Sequence, residues 1–164
     1  MSKIFTVELS DRVTRENENG EFEVKYINSQ KYPAAITNRS FYLGEQMGLM
    51  SGSQMTDLHG VQQVLEAAIQ PGENRENALK GLDHNQSLKV IYLAIIGMNK
   101  DLNLTFEDFT EKYHGDVEET TNLYTDLVLE TVSEGLSENN FAKGLINSTK
   151  KKTGKMEKPP DLQS

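Results

Sequence analysis

The chain has 164 residues, enough for one domain with a tail, of which 36% are hydrophobic and 26% charged, with a net charge of −8. With no cysteine it can form no disulfide, thiolate nucleophile or cysteine-ligated metal site. Three histidines scattered at positions 59, 84 and 114 leave little material for a catalytic or metal constellation, so the composition argues against an enzyme and for no cofactor.

The longest apolar run, Val90–Ile96, has seven residues, against the roughly 18 that a membrane span needs. Met1–Phe5 lacks the long apolar stretch of a signal peptide, so an intracellular protein is expected. The charge is divided along the chain. Met1–Ala142 carries 11 Lys and Arg against 23 Asp and Glu, a balance of −12, whereas Lys143–Ser164 carries 6 Lys against 2 acids, a balance of +4. The acidic body repels phosphate backbones, so nucleic acid is not an expected partner of it. The lysine tail has no aromatic residue for stacking on bases and no arginine for bidentate contacts, and residues 148–164 read as disordered.

In chain order, Phe5, Val7 and Leu9 alternate with Ile4, Thr6 and Glu8, as on a strand with one apolar face. The polar stretch Asp11–Gly20 reads as a long connection ending in the turn pair Asn19-Gly20. Phe22, Val24 and Tyr26 then alternate with Glu21, Glu23 and Lys25. This predicts a β-hairpin over about 3–28 with one buried face, which must lie on helices or add to another chain's sheet, because a lone hairpin is marginal in water. Tyr32–Ile36, around Pro33, reads as a short extended or turn segment.

A helical part is expected from about 36 to 147. Thr37 or Asn38 caps a helix carrying Phe41, Leu43 and Met47, with Gly48 near its end. After a loop at Ser51-Gly52-Ser53, Thr56 or Asp57 caps a second helix with Leu58, Val61, Leu65, Ala68 and Ile69 at helical spacing, broken by Gln70-Pro71-Gly72. A short helix is expected around Ala78–Leu82. Behind Asp83, Leu88–Ile96 is apolar around nearly its whole circumference and reads as the central buried helix, with a buried strand as the competing reading and Gly97 and Asn99 at its end. Thr105-Phe106-Glu107-Asp108 is a capping box with Asp in place of Glu or Gln, opening a helix with Phe106, Phe109 and Tyr113 on one face and Gly115 at its end. Asp116, with Glu119 three residues on, opens a last long helix whose stripe is Val117, Thr121, Tyr124, Val128 and Val132, widened by Leu127 and Thr131 and ended by Gly135. The expected fold is α+β and mostly α: an N-terminal hairpin, five or six helices and a disordered basic tail, with residues 1–147 as one globular domain.

The candidate chemistry is thin. Asp101–Thr105 imitates the start of an EF-hand loop, but the sixth position is Phe106 rather than Gly and the twelfth is Lys112 rather than Glu. Glu107, Asp108, Glu111, Asp116, Glu118 and Glu119 cluster with His114, yet helix capping and solvated helix charges account for them. No catalytic residue and no metal ligand are therefore assigned. Interaction is what remains. Phe141, Leu145 and Ile146 form a short terminal apolar segment and are the candidate partner-binding residues; Tyr32, Ile36 and Met50 lie in connections, where they either join a small core or await a partner.

The segments Leu88–Ala94, Leu104-Thr105-Phe106-Glu107-Asp108-Phe109, Tyr113–Glu119 and Leu123-Tyr124 resemble tail assembly chaperones of long-tailed phages and prophages of Gram-positive bacteria. The resemblance implies a non-enzymatic protein in the host cytoplasm that binds the tail tape measure protein and keeps it soluble while the tail tube polymerises, with the tube protein as a further partner and an oligomer compatible. It also implies a longer form made by frameshifting, with which the consecutive Lys150-Lys151-Lys152 is compatible. A long apolar helical partner and an acidic helical protein would suit helix-in-groove recognition. The alternatives are a structural virion tail component that uses its hairpin for β-augmentation, and a small regulatory protein that binds nucleic acid through its lysine tail.

Overall fold

The computed structural model describes residues 3–50 and 82–138, with side chains described as far as Thr131. Two antiparallel strands, β1 (Phe5–Glu16) and β2 (Phe22–Ala34), precede four helices among the described residues: α1 (Asn38–Gln46), α2 (His84–Met98), α3 (Phe106–Lys112) and α4 (Val117–Glu138). The architecture is α+β. No described helix is long and apolar enough to cross a membrane. The helix expected over Leu58–Ile69, the short one around Ala78, the segment Phe141–Ile146 and the lysine tail lie outside the described residues.

Helix α2 is the centre. Asp83 caps it, its carboxylate accepting from the Asn85 N–H at 3.0 Å. From Val90 to Ile96 every side chain is buried, as the absence of a polar face demands. Fifteen residues at helical rise also settle the helix-or-strand choice, since i to i+4 bonding satisfies the backbone inside the core without a neighbouring strand. Around it pack α1, α3, α4 and β2. Ala35 N–H donates to the Ala94 carbonyl at 3.3 Å, and the Asn99 side-chain amide donates to the Pro33 carbonyl at 3.0 Å, fixing the end of β2 on the helix.

Gly97 lies in the last turn of α2, next to its final residue Met98, with Asn99 capping the helix, as the sequence indicates. Its role is close approach: a Cβ there would overlap Ser40 Oγ and sit 2.9 Å from Thr37 Oγ1, the two side chains of the α1 capping box. Helix α1 ends in a Schellman motif, with Gly48 at φ 67°, its N–H donating to the Glu45 carbonyl and that of Leu49 to the Gly44 carbonyl. The Thr105–Asp108 capping box of α3 forms as the sequence indicates, with bonds of 3.0 and 3.4 Å in its two directions. Tyr113 rather than Gly115 terminates α3. Asp116 Oδ1 accepts from the Glu119 N–H at 2.7 Å at the start of α4, which continues through Gly135 to Glu138. Tyr124, Leu127 and Val128 of its stripe are buried, whereas Val117 is exposed.

The hairpin departs most from expectation. The stretch Asp11–Glu16 is strand, so the connection shortens to residues 17–21. Asn17 organises it: its side-chain oxygen accepts from the N–H groups of Asn19 and Glu21, each at 2.9 Å, and Gly20 adopts φ 80°. Strand β2 runs on to Ala34 and carries Pro33 opposite Thr6, which a two-stranded sheet tolerates because both strands are edges. Tyr32, Ile36 and Met50, from the connections, join or line the core.

Phe5, Val7 and Leu9 face that core as expected, but Phe22, Val24 and Tyr26 do not, being 76%, 53% and 54% exposed. A β-bulge is the reason. Leu9 pairs with Gln30 and Asp11 with Ile27, so Ser10 faces two residues, Asn28 and Ser29. Asn28 takes the left-handed conformation at φ 55°. The extra residue reverses the alternation of β2 relative to β1. Phe22, Val24 and Tyr26 therefore pair with Glu16, Thr14 and Arg12, out of phase with Phe5, Val7 and Leu9.

Candidate interaction surface

Helix α1, the end of α2 and the segment entering α3 enclose an open groove of about 390 Å³. Leu43, Met47, Leu49, Ile96, Leu102, Leu104 and Phe106 supply its apolar wall, and Arg39, Asn99 and Asn103 its polar rim. The local reasons are on the chain. The Schellman turn folds Leu49 back beside Leu43 and Met47. The turn closed by Leu102 N–H donating to the Asn99 carbonyl at 3.1 Å carries Leu102 and Leu104 to the opposite side.

Tyr92 forms the floor. Its hydroxyl donates to the Leu104 carbonyl at 2.6 Å, with Met47 Sδ 3.9 Å away. Its ring meets Phe106 edge-on at 5.5 Å and Phe109 at 5.7 Å, and Phe109 in turn stacks on Tyr113 at 5.2 Å. This aromatic row holds the α3 end of the groove rigid, because each ring is gripped by the next. Burial, and secondarily the Asp108 carboxylate, push the Tyr92 phenol above its usual range. The Tyr113 phenol is raised as well, by burial first; its bond with Thr120 works against that, and the Glu119 and Asp116 charges work with it. Both hydroxyls thus act as neutral hydrogen-bonding groups.

The polar residues singled out in the sequence have structural duties. The carboxylates of Asp108 and Asp116 accept from the backbone N–H groups of Thr105 and Glu119 at helix starts, and Glu107, Glu111 and Glu118 point to solvent. Among the described residues, no three His, Asp or Glu side chains are grouped so as to hold a metal ion. The EF-hand-like stretch is the turn and cap just described. His114 Nε2 donates to the Ser10 carbonyl at 2.8 Å and its ring lies 4.7 Å from that of Tyr26, tying the α3–α4 link to the hairpin beside the Lys112–Asp11 ion pair of 3.8 Å. His84 is half-buried, with Nδ1 lacking a hydrogen-bond partner among the described residues. His59 and the candidate partner residues Phe141, Leu145 and Ile146 lie outside the described residues.

No family model, curated protein or solved structure matches this chain. The surface must therefore be read on its own chemistry. Its groove-forming residues escaped the sequence reading because they come from two segments far apart in the chain, Tyr92 meeting Met47 across 45 positions. The one local signal was Leu102 and Leu104, apolar residues flanking a turn that would otherwise be polar.

Proposed function

We propose that this chain is a non-enzymatic phage tail assembly chaperone that holds the tape measure protein soluble during tail tube assembly. The observation that supports this reading is the groove between α1, α2 and the start of α3, apolar within and open to solvent. Part of it is built from Leu88–Phe109, within the stretch that resembles such chaperones. A groove of this size takes several side chains from one face of an apolar helix, and the acidic body around it keeps the complex soluble by charge. In this reading the protein works in the host cytoplasm, further helices raise the total to five or six, and residues 148–164 form a lysine-rich tail.

Co-expression with a tail tape measure protein from the same genome tests the reading. The two are expected to co-purify and the tape measure protein to move to the soluble fraction. Met47→Glu, at an exposed rim position, should lower the recovered complex roughly tenfold or more, because a carboxylate would be forced against the bound apolar helix. If no complex forms with the unsubstituted chain, the proposal fails.

The exposed outer half of the hairpin favours a second reading, a structural tail component such as a tail completion or tube-related protein. Mass spectrometry of purified virions separates the two, since a chaperone is absent from the particle and a structural component is present.

A further inference from the structure

The outer half of the hairpin carries an apolar stripe, Phe22, Val24 and Tyr26, on a strand whose second edge has no partner among the described residues. Exposed edges of this kind invite pairing, and what they pair with depends on their pattern. Here the regular part of β2 is bounded on one side by the Asn17–Gly20 turn and on the other by the Asn28 bulge. Val24 stands next to its centre.

We infer that β2 pairs antiparallel with β2 of a second copy about a two-fold axis through Val24, giving a four-stranded sheet of order β1-β2-β2-β1. In this register Val24 faces its own copy, Phe22 faces Tyr26 of the other chain, and Glu23 faces Lys25. Both aromatic–aromatic pairs lie on the apolar side and both opposite-charge pairs on the other, the combinations that stabilise cross-strand neighbours. Slips by two residues are penalised: one sets Glu23 against Glu23 and the other Lys25 against Lys25. Slips by one residue in either direction set Val24 and Tyr26 against charged side chains. The strand thus favours one self-pairing and opposes its neighbours, as an isologous dimer interface does. The β1 edge is less suited, because self-pairing about Val13 would set Asp11 against Arg15 but Arg12 against Thr14, with no aromatic pair on either side. The inference is independent of the chaperone reading, since it involves neither the groove nor the tape measure protein.

Sedimentation equilibrium on the full chain tests it. The unsubstituted protein is expected to dimerise reversibly. Glu23→Lys alone and Lys25→Glu alone should each weaken dimerisation about tenfold or more, since each turns two attractive pairs into repulsive ones. An equimolar mixture of these two variants should recover a heterodimer, because every pair across the axis is then of opposite charge, and so should the chain carrying both changes. Recovery on mixing is a readout that mere loss of hairpin structure cannot produce. As a second measurement, Val24→Cys in this cysteine-free chain should give a disulfide-linked dimer on mild oxidation, the two Cβ atoms facing each other across the axis, while Thr14→Cys on β1 should not. A monomer at all concentrations, or a dimer unaffected by the single charge changes, would overturn the proposal.

Discussion

The inner and outer halves of one hairpin have opposite environments although their residues alternate in the same way. In the inner half, Val7 and Leu9 are buried against helices with Ala34 beyond them on β2. In the outer half, Phe22, Val24 and Tyr26 are more than half exposed, Tyr26 with one side against the His114 ring. What separates them is one inserted residue. Alternation specifies that a strand has two faces; the bulge decides which of them meets the core. Side-chain bonds hold the bulge in place, Asn28 donating to Asp11 at 3.0 Å and Ser29 to Glu8 at 2.8 Å.

The contrast can be broken most severely from the core side. Phe109→Ala empties a fully buried site that three other rings surround, and should cost about 3–5 kcal/mol in denaturant unfolding. Val24→Ala, equally apolar but outside, should stay within about 0.5 kcal/mol when measured on the monomer. Equal effects would mean that the outer half is part of the core after all.

The bulge itself gives the next largest effect. Asn28→Ala removes the bond to Asp11 and leaves a Cβ at φ 55° without a polar side chain to compensate, so a loss of about 1–2 kcal/mol is expected. Asn28→Gly keeps the backbone free to adopt that angle and should lose only a few tenths of a kcal/mol. If the two variants melt alike, backbone conformation is not what sets the bulge.

The smallest effect separates the halves by pH. The Tyr92 and Tyr113 phenols, raised above their ordinary 10.0 mainly by burial, bind protons more tightly in the folded chain than in the unfolded one. Their contribution is therefore complete below pH 10 and is lost as the pH rises through the raised values. Thermal melts should fall above about pH 10, and a chain with both Tyr92→Phe and Tyr113→Phe should show a shallower fall from its own, lower starting point.

Local features were legible because they depend on neighbours in sequence. The Thr105–Asp108 and Asp116–Glu119 caps, the Asp83 cap and the all-round apolar α2 all follow from patterns spanning a few turns. The Asp11–Gly20 stretch misled because polar residues on an exposed two-stranded arm look like those of a loop; an arm that the described helical part touches only near its base, at Asp11 and Tyr26, has little surface that must be apolar. Gly135 misled, lying within α4 rather than at its end, and Gly97, rightly placed in the last turn of α2, is needed there for space beside Ser40, a residue fifty-seven positions away.

By itself, then, the sequence determined the helix starts, the central helix and the Asn19-Gly20 turn, since each rests on residue type and short-range spacing. Tertiary structure alone decided that an apolar stripe of the hairpin points away from the core and that Leu43, Met47, Leu102 and Leu104 meet around Tyr92 to form a groove. Both depend on register and on packing between distant segments. A pattern of apolar residues carries how much surface must be covered, but not which surface covers it.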